Sequence, residues 1–307
     1  MAALFFCAEK YGTTNEKGGR VMKRIAMIGT GVMGASIVKH LLHARYEVTV
    51  YTRTKDKAEP LLQLGAKWAD TPAEAAKNQD AVLTMVGYPS DVEDVYFSET
   101  GIFQTAQAGT YMIDLTTSEP TLAKRIYDEA VARGMYSFDA PVSGGDLGAQ
   151  QGTLSIMLGG DEAHVQHVLP LLSAFGKNIV YQGAAGAGQH TKMCNQIVIA
   201  TGMIGICESM VYAKKAGLSP ETVLTSITAG AAGSWGLSNL APRMLAGDDA
   251  PGFYIKHFVK DMGIALKECA HMHLQLPGLS LAHEMYEELI AAGYGDCGTQ
   301  AIMHAYN

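Results

Sequence analysis

Arg24-Ile25-Ala26-Met27-Ile28-Gly29-Thr30-Gly31-Val32-Met33-Gly34, with the helical pattern Ala35 to Ala44 and the apolar run Glu47 to Tyr51 behind it, decides the fold. A short apolar run closed by glycines, then a helix, then a second apolar run reads as strand, turn, helix, strand, the unit that builds a parallel sheet. Gly29, Gly31 and Gly34 form GxGxxG between a predicted strand and a predicted helix, which is the context this dinucleotide motif requires. Gly29 permits the tight turn, Gly31 lets the backbone approach a pyrophosphate, and Gly34 lets helix pack on strand, so that the helix N-terminus meets the negative charge. Thr30, Val32 and Met33 complete the turn.

Outward from this unit the alternation continues. Helices are expected at Lys57 to Leu64, Ala73 to Lys77, Val92 to Phe97 and Pro120 to Arg133, and strands at Ala81 to Val86, Thr110 to Leu115, Met135 to Asp139, Ser155 to Gly159 and Asn178 to Tyr181. After Gly183, Gly186 and Gly188 the character changes. A long, mostly apolar helix runs from Gln189 to Lys215, and the rest of the chain reads as helices broken at Gly217 to Pro220, Gly230 to Gly233, Pro242 to Pro251 and Pro277-Gly278. The expected class is α/β, a doubly wound parallel sheet over residues 23–185, joined by the long helix to an all-helical domain over 186–307. Residues 1–22 read as an extension, expected to be disordered, because regular patterning starts only after Met22 and a secretory signal's cationic start and cleavage site are missing.

The chain of 307 residues is 48% hydrophobic and 17% charged, with 23 Lys and Arg against 30 Asp and Glu, a net charge of -7 and no block of like charge. This balance argues against nucleic acid or an anionic membrane as a partner. The apolar stretch around Ile197 to Cys207 is broken by Thr201 and glycines, so no membrane span is expected. Five widely spaced cysteines without a CxxC pair suit neither a disulfide framework nor a zinc site and point to a reducing cytosol. Three groups of histidines (His40 and His43, His164 and His167, and His271 with His273 and His283) lack thiols or acids at ligand spacing, and no metal is expected.

The end of the second strand chooses the cofactor. An NAD site places an acid there for the ribose hydroxyls, whereas this chain has Thr52-Arg53-Thr54 followed by Lys57. Arg53 is suited to grip a 2'-phosphate with help from Thr54 and Lys57, which favours NADP and leaves NAD possible. Val86, at the end of another strand, joins the cofactor set.

Three segments carry the chemistry: Ile113 to Pro120, Asp139 to Gly145, and Gly186 to Gln196. Thr117, Ser118, Ser143 and the N–H groups of Gly144 and Gly145 are suited to a substrate carboxylate. Lys192, Asn195 and Gln196 stand at i, i+3 and i+4, on one helix face. Near the positive end of the helix dipole the charged form of Lys192 is disfavoured, so this lysine can accept a hydroxyl proton and return it.

Taken together, the Gly29 to Gly34 turn, Asp139 to Gly145 with Gly148 and Gly152-Thr153, the Gly186 to Gln196 block and Lys260-Asp261 resemble the β-hydroxyacid dehydrogenase family over residues 23 to about 300. The resemblance implies a Rossmann-like domain followed by a helical one, and hydride transfer between NADP(H) or NAD(H) and a small β-hydroxy acid or semialdehyde. It implies Lys192 as the catalytic lysine, Ser143, Gly144 and Gly145 on the substrate carboxylate, Asn195 and Gln196 positioning substrate, and Thr117 and Lys260 at the substrate and nicotinamide end. It also implies a homodimer or homotetramer packed through the helical lobes. Ser234, Trp235 and Phe258 are candidates for telling substrates apart. A glyoxylate or succinic semialdehyde reductase, an imine reductase, which carries another proton donor at position 192, and a non-catalytic nucleotide-binding module are the alternatives.

Overall fold

The computed structural model describes residues 22–306. The expected extension over 1–22 lies, Met22 apart, outside the described residues. The chain divides into two compact units between Lys192 and Met193.

The first unit runs β1 (Arg24–Ile28), α1 (Val32–His43), β2 (Glu47–Tyr51), α2 (Glu59–Gln63), β3 (Lys67–Trp68), α3 (Pro72–Ala76), β4 (Ala81–Thr84), α4 (Pro89–Phe97), β5 (Tyr111–Asp114), α5 (Pro120–Ala132), β6 (Tyr136–Asp139), β7 (Val142–Ser143), α6 (Gly145–Gln151), β8 (Leu154–Gly160), α7 (Val165–Leu172) and β9 (Gly176–Gly183). The strand order is β3-β2-β1-β4-β5-β6-β8-β7, with β9 on the open side of β8. Neighbours along β1 show why helices cover both faces. Ile25 and Met27 enter one apolar core with Ala81, Leu83 and Ile113, while Ala26 and Ile28 enter another with Val82 and Met112. A strand with both sides apolar has to be covered twice, and the result is the doubly wound arrangement.

The sheet is not wholly parallel, as the sequence had suggested. β8 runs antiparallel to β6 and to β7. Asp139 pairs with Gly159 and Val142 with Ile156, so β6 and β7 are two pieces of one strand interrupted at Ala140-Pro141. Pro141 has no N–H to donate to a ladder. The short helix α6 then turns the chain straight back, where a parallel strand would need a longer crossover. α6 and α7 were not expected from the sequence, because glycines in one and Pro170 in the other mask a helical pattern.

The second unit is helical. α8 (Ala187–Lys215) starts in the first unit and is followed by α9 (Pro220–Thr228), α10 (Trp235–Asn239), α11 (Ala241–Ala246), α12 (Ile255–His271), α13 (Pro277–Ala291) and a 3-10 stretch, Thr299–Tyr306. Local chemistry sets the breaks: the Ser219 and Ser234 hydroxyls accept the Thr222 and Leu237 N–H groups and start α9 and α10, and Gly247 ends α11 in a left-handed conformation. Met203, Cys207, Met210, Phe258 and Tyr286 are buried in its core. α8 is the one helix among the described residues that is long and apolar enough, by length and composition, to cross a membrane. Thr201 does not break it and turns its hydroxyl back to donate to the Ile197 carbonyl. Its residues Ala200, Met203, Cys207, Met210 and Ala213 lie in the protein interior, as in a core helix.

Candidate active site at the carboxyl ends of the strands

In a doubly wound sheet the ligand crevice opens where the strand order reverses, here between β1 and β4. The Gly29 N–H donates to the Tyr51 carbonyl at 2.8 Å and the Met85 N–H to that of Ile28 at 2.9 Å, fixing the turn between its neighbours. A Cβ on Gly29, whose φ is +97°, would stand 2.2 Å from the Met85 carbonyl oxygen, and one on Gly34 would stand 2.0 Å from that of Gly29. Gly31 is different. Its φ of -65° suits any residue, and no heavy atom lies within 4 Å of the Cβ it lacks. The protein itself makes no demand for glycine there, whereas a ligand lying on the backbone does. α1 begins at Val32, earlier than its sequence pattern indicated, with no side-chain cap and no acid in its first turn. Its N–H groups and dipole are left for an anion, which fits a dinucleotide pyrophosphate. Thr30 is buried, and its hydroxyl has no partner among the described residues.

Beyond β2, Thr52 is half-buried, and Arg53, Thr54 and Lys57 are exposed. Arg53 Nη1 lies 3.2 Å from Asp91 Oδ1 on α4. The acid missing from the end of β2 thus arrives from another element, 38 residues away, where sequence spacing gives no sign of it.

The ends of β5 and β6 carry two buried carboxylates in register, Asp114 and Asp139. Asp114 Oδ1 accepts the Thr84 hydroxyl at 2.7 Å and the Thr116 N–H at 3.0 Å, while the Thr116 hydroxyl accepts the Val86 N–H at 3.0 Å. Burial pushes the Asp114 carboxyl up to about 6, against the pull of the Thr84 and Thr116 bonds and with a push from Asp139. Asp139 accepts the Gly186 N–H on Oδ1 at 2.7 Å and the Gln189 N–H on Oδ2 at 2.8 Å. Its pKa is raised by burial, against these N–H bonds. Gln189 is fully buried; its Oε1 accepts the Ser118 N–H at 2.9 Å and its Nε2 donates to the Thr116 carbonyl at 2.7 Å. Asp139 and Gln189 therefore pin the start of α8 to the ends of β5 and β6. Lys192, one turn past Gln189, is 7% exposed. Thr117 follows Thr116 and is half-buried; Ser143 ends β7, also half-buried. Gly144 (φ +131°) and Gly145 (φ +59°) take backbone conformations that side chains disfavour.

In the second unit, Asn195 Nδ2 donates to Gln196 Oε1 at 2.7 Å, and Gln196 Nε2 donates to Asp261 Oδ2 at 2.6 Å. Lys260 Nζ stands 2.8 Å from Asp261 Oδ1. Three residues expected from the sequence, Asn195, Gln196 and Lys260, thus meet through a fourth, Asp261, whose role the sequence alone does not disclose. Phe258 is fully buried, edge-on to Tyr286 with ring centroids 5.1 Å apart, and is a core residue of its unit; Ser234 and Trp235 are exposed. No cluster of three or more His, Cys, Asp or Glu able to hold a metal occurs among the described residues.

Residues 24–183 match the family model described as the NAD binding domain of 6-phosphogluconate dehydrogenase, and residues 186–306 match that for NAD-binding of NADP-dependent 3-hydroxyisobutyrate dehydrogenase. The chain belongs to the β-hydroxyacid dehydrogenase family. It is 58% identical over 280 residues to an uncharacterized oxidoreductase of Bacillus subtilis, covering 91% of this chain and 97% of the relative. To a probable 3-hydroxyisobutyrate dehydrogenase-like mitochondrial protein of Arabidopsis thaliana it is 49% identical over 283 residues, 92% of this chain and 84% of that one. The solved structure of Mycobacterium tuberculosis 3-hydroxyisobutyrate dehydrogenase with L-serine superposes with a TM-score of 0.86 at 32% identity, covering 94% of this chain and all of that one. This member of the family is a nicotinamide-dependent oxidoreductase that acts on a CH–OH group, as the sequence had indicated.

The glycines yield a contrast. Gly34→Ala forces backbone atoms apart and should cost about 1 to 3 kcal/mol, read as a lower Tm of the protein without cofactor. Gly31→Ala should leave that Tm in place and weaken dinucleotide binding in a fluorescence titration; a Tm loss equal to that of Gly34→Ala contradicts the ligand-facing role of Gly31.

A second expectation concerns pH. A carboxyl whose folded pKa lies above its unfolded value is least costly when protonated. The contribution of Asp114 therefore favours the fold most below pH 4, declines as pH rises to about 6, and is constant above that. The whole change is roughly 3 kcal/mol. Melting curves of Asp114→Asn should lack this decline, so the variant gains on the wild type between pH 4 and 6. Parallel curves across that range contradict it.

Proposed function

We propose that this enzyme interconverts a small β-hydroxy acid and its semialdehyde, with Lys192 as general acid and base and NADP(H) as the preferred cofactor. The observation that carries the reading is the pinning of α8 by Asp139 and Gln189, which holds the buried Lys192 at the carboxyl edge of the sheet. The bound nicotinamide supplies the hydride acceptor or donor. In the oxidative direction neutral Lys192 takes the hydroxyl proton at Nζ, and in the reductive direction the ammonium returns it to the developing alkoxide. Ser143 Oγ and the N–H groups of Gly144 and Gly145 hold the substrate carboxylate, and Thr117 borders it. Within the helical unit, the Asn195-Gln196-Asp261-Lys260 chain fixes two amides and an ammonium.

The substrate class follows from the carboxylate cradle and from the relatives. 3-Hydroxyisobutyrate and L-serine each carry a hydroxyl on the carbon β to a carboxylate. The NADP preference rests on Arg53, Thr54 and Lys57. The exposed Arg53–Asp91 pair is weak, so the guanidinium exchanges its partner readily for a 2'-phosphate. Val198, Tyr212 and Trp235 are 71%, 74% and 68% exposed in the helical unit, apolar side chains suited to burial against a second copy in a homodimer or homotetramer. The free thiols Cys194, Cys207, Cys269 and Cys297 suit a reducing compartment.

Lys192→Ala should lose about 10² to 10⁴ in kcat while still binding NADPH. Lys192→Arg should not recover it, since a guanidinium keeps its proton. A Lys192→Ala enzyme with more than about a tenth of the wild-type kcat assigns the proton to another group. Arg53→Asp should weaken NADPH by roughly 10- to 150-fold and NADH far less. Equal losses, or a wild type that prefers NAD, overturn the NADP assignment.

A further inference from the structure

The substrate cradle is held from behind by a histidine on the cofactor helix. His40, on α1, places Nε2 3.0 Å from the carbonyl oxygens of both Ala149 and Gln150. Both partners can only accept, so Nε2 carries the hydrogen and is shared between them. These carbonyls lie in the last turn of α6, where that of Ala149 also accepts the Gly152 N–H at 3.3 Å and His40 supplies a side-chain donor to both. The far end of α6, about 10 Å away by helix rise, is the Gly144-Gly145 turn that follows Ser143. Gly152 makes room for the imidazole: its φ is +64°, and a Cβ there would stand 3.0 Å from His40 Cε1. α1 itself begins at the dinucleotide turn. One helix therefore meets the cofactor with its N-terminus and grips α6 with a side chain two turns further on.

We propose that His40 is a positioning residue for substrate: by capping α6 it sets where Ser143, Gly144 and Gly145 stand, and it ties the carboxylate cradle to the helix that binds the dinucleotide. This rests on the reading that those three residues hold the carboxylate. The imidazole acts through the α6 carbonyls it holds, so its removal should be felt in KM. A glutamine amide offers two N–H donors from a similar reach and can serve the same two carbonyls.

The test uses the full chain with 3-hydroxyisobutyrate and NADP+ as probes and compares His40→Ala, His40→Gln and Ser143→Ala. His40→Ala should raise KM for 3-hydroxyisobutyrate about tenfold, the loss of two neutral hydrogen bonds, with kcat at saturation and the NADP+ Kd essentially unchanged. His40→Gln should restore most of it. If KM rises while kcat, cofactor affinity and Tm all fall, and glutamine restores nothing, His40 is a packing residue and the proposal is overturned. If Ser143→Ala raises KM and His40→Ala does not, the cradle stands and the positioning role falls. If His40→Ala raises KM and Ser143→Ala does not, the role stands and the backbone N–H groups are what it positions. If neither moves KM, the cradle reading fails and the role of His40 with it.

Discussion

Asp139 uses both carboxylate oxygens to hold the first turn of the long helix, and the arrangement of the site depends on that grip. An acid at a helix N-terminus satisfies N–H groups that have no partner within the helix and meets the positive end of the dipole. Here it also fixes direction, because Asp139 closes β6 and so belongs to the sheet's carboxyl edge. A Cβ on Gly188 would stand 2.4 Å from the Met157 carbonyl oxygen and 2.5 Å from that of Asp139, so the helix approaches the strands as closely as backbones allow. Gln189 repeats the tie one residue later with both ends of its amide. Lys192 follows at the next turn, and its location is set by buried bonds made by its neighbours.

This construction carries a cost. Asp114 and Asp139 are adjacent, buried acids, and burial works against the ionisation of both. The compensation is local: Thr84, Thr116, Gly186 and Gln189 each give hydrogen bonds to one of the two. Buried polar groups so closely satisfied favour a single geometry. The glycine turn achieves the same rigidity by contact, with Gly29 and Gly34 fitted against backbone and open space beside Gly31.

Much of the fold could be read from period and punctuation. β1, the glycine turn, α1, β2 and the long helix follow from local pattern, and the alternation of Ile25 and Met27 with Ala26 and Ile28 between two cores is what a doubly covered strand looks like in sequence. The reversal at β8 could not, because it depends on a strand broken at Pro141 and a glycine-bearing helix too short to show a period. In the candidate site, Gly29, Gly31, Gly34, Ser143 and Lys192 stand in motifs that the sequence displays. Residues that act through space were not legible there. Asp91 reaches Arg53 from another helix, Asp261 joins Gln196 to Lys260 across 65 residues, and Gln189 ties α8 to a loop more than 70 residues earlier. Each is an ordinary polar residue in the sequence, and only the fold supplies its partner.

The assignment of the proton to Lys192 Nζ is tested most directly by chemical rescue of Lys192→Ala with a series of small primary amines, using NADP+ and 3-hydroxyisobutyrate at saturation. An amine diffusing into the space left by the side chain should restore turnover, saturate with concentration and act more strongly as its basicity rises, while guanidine should do nothing. A variant that retains its Tm and its NADP+ affinity yet shows no response to any amine would contradict the assignment.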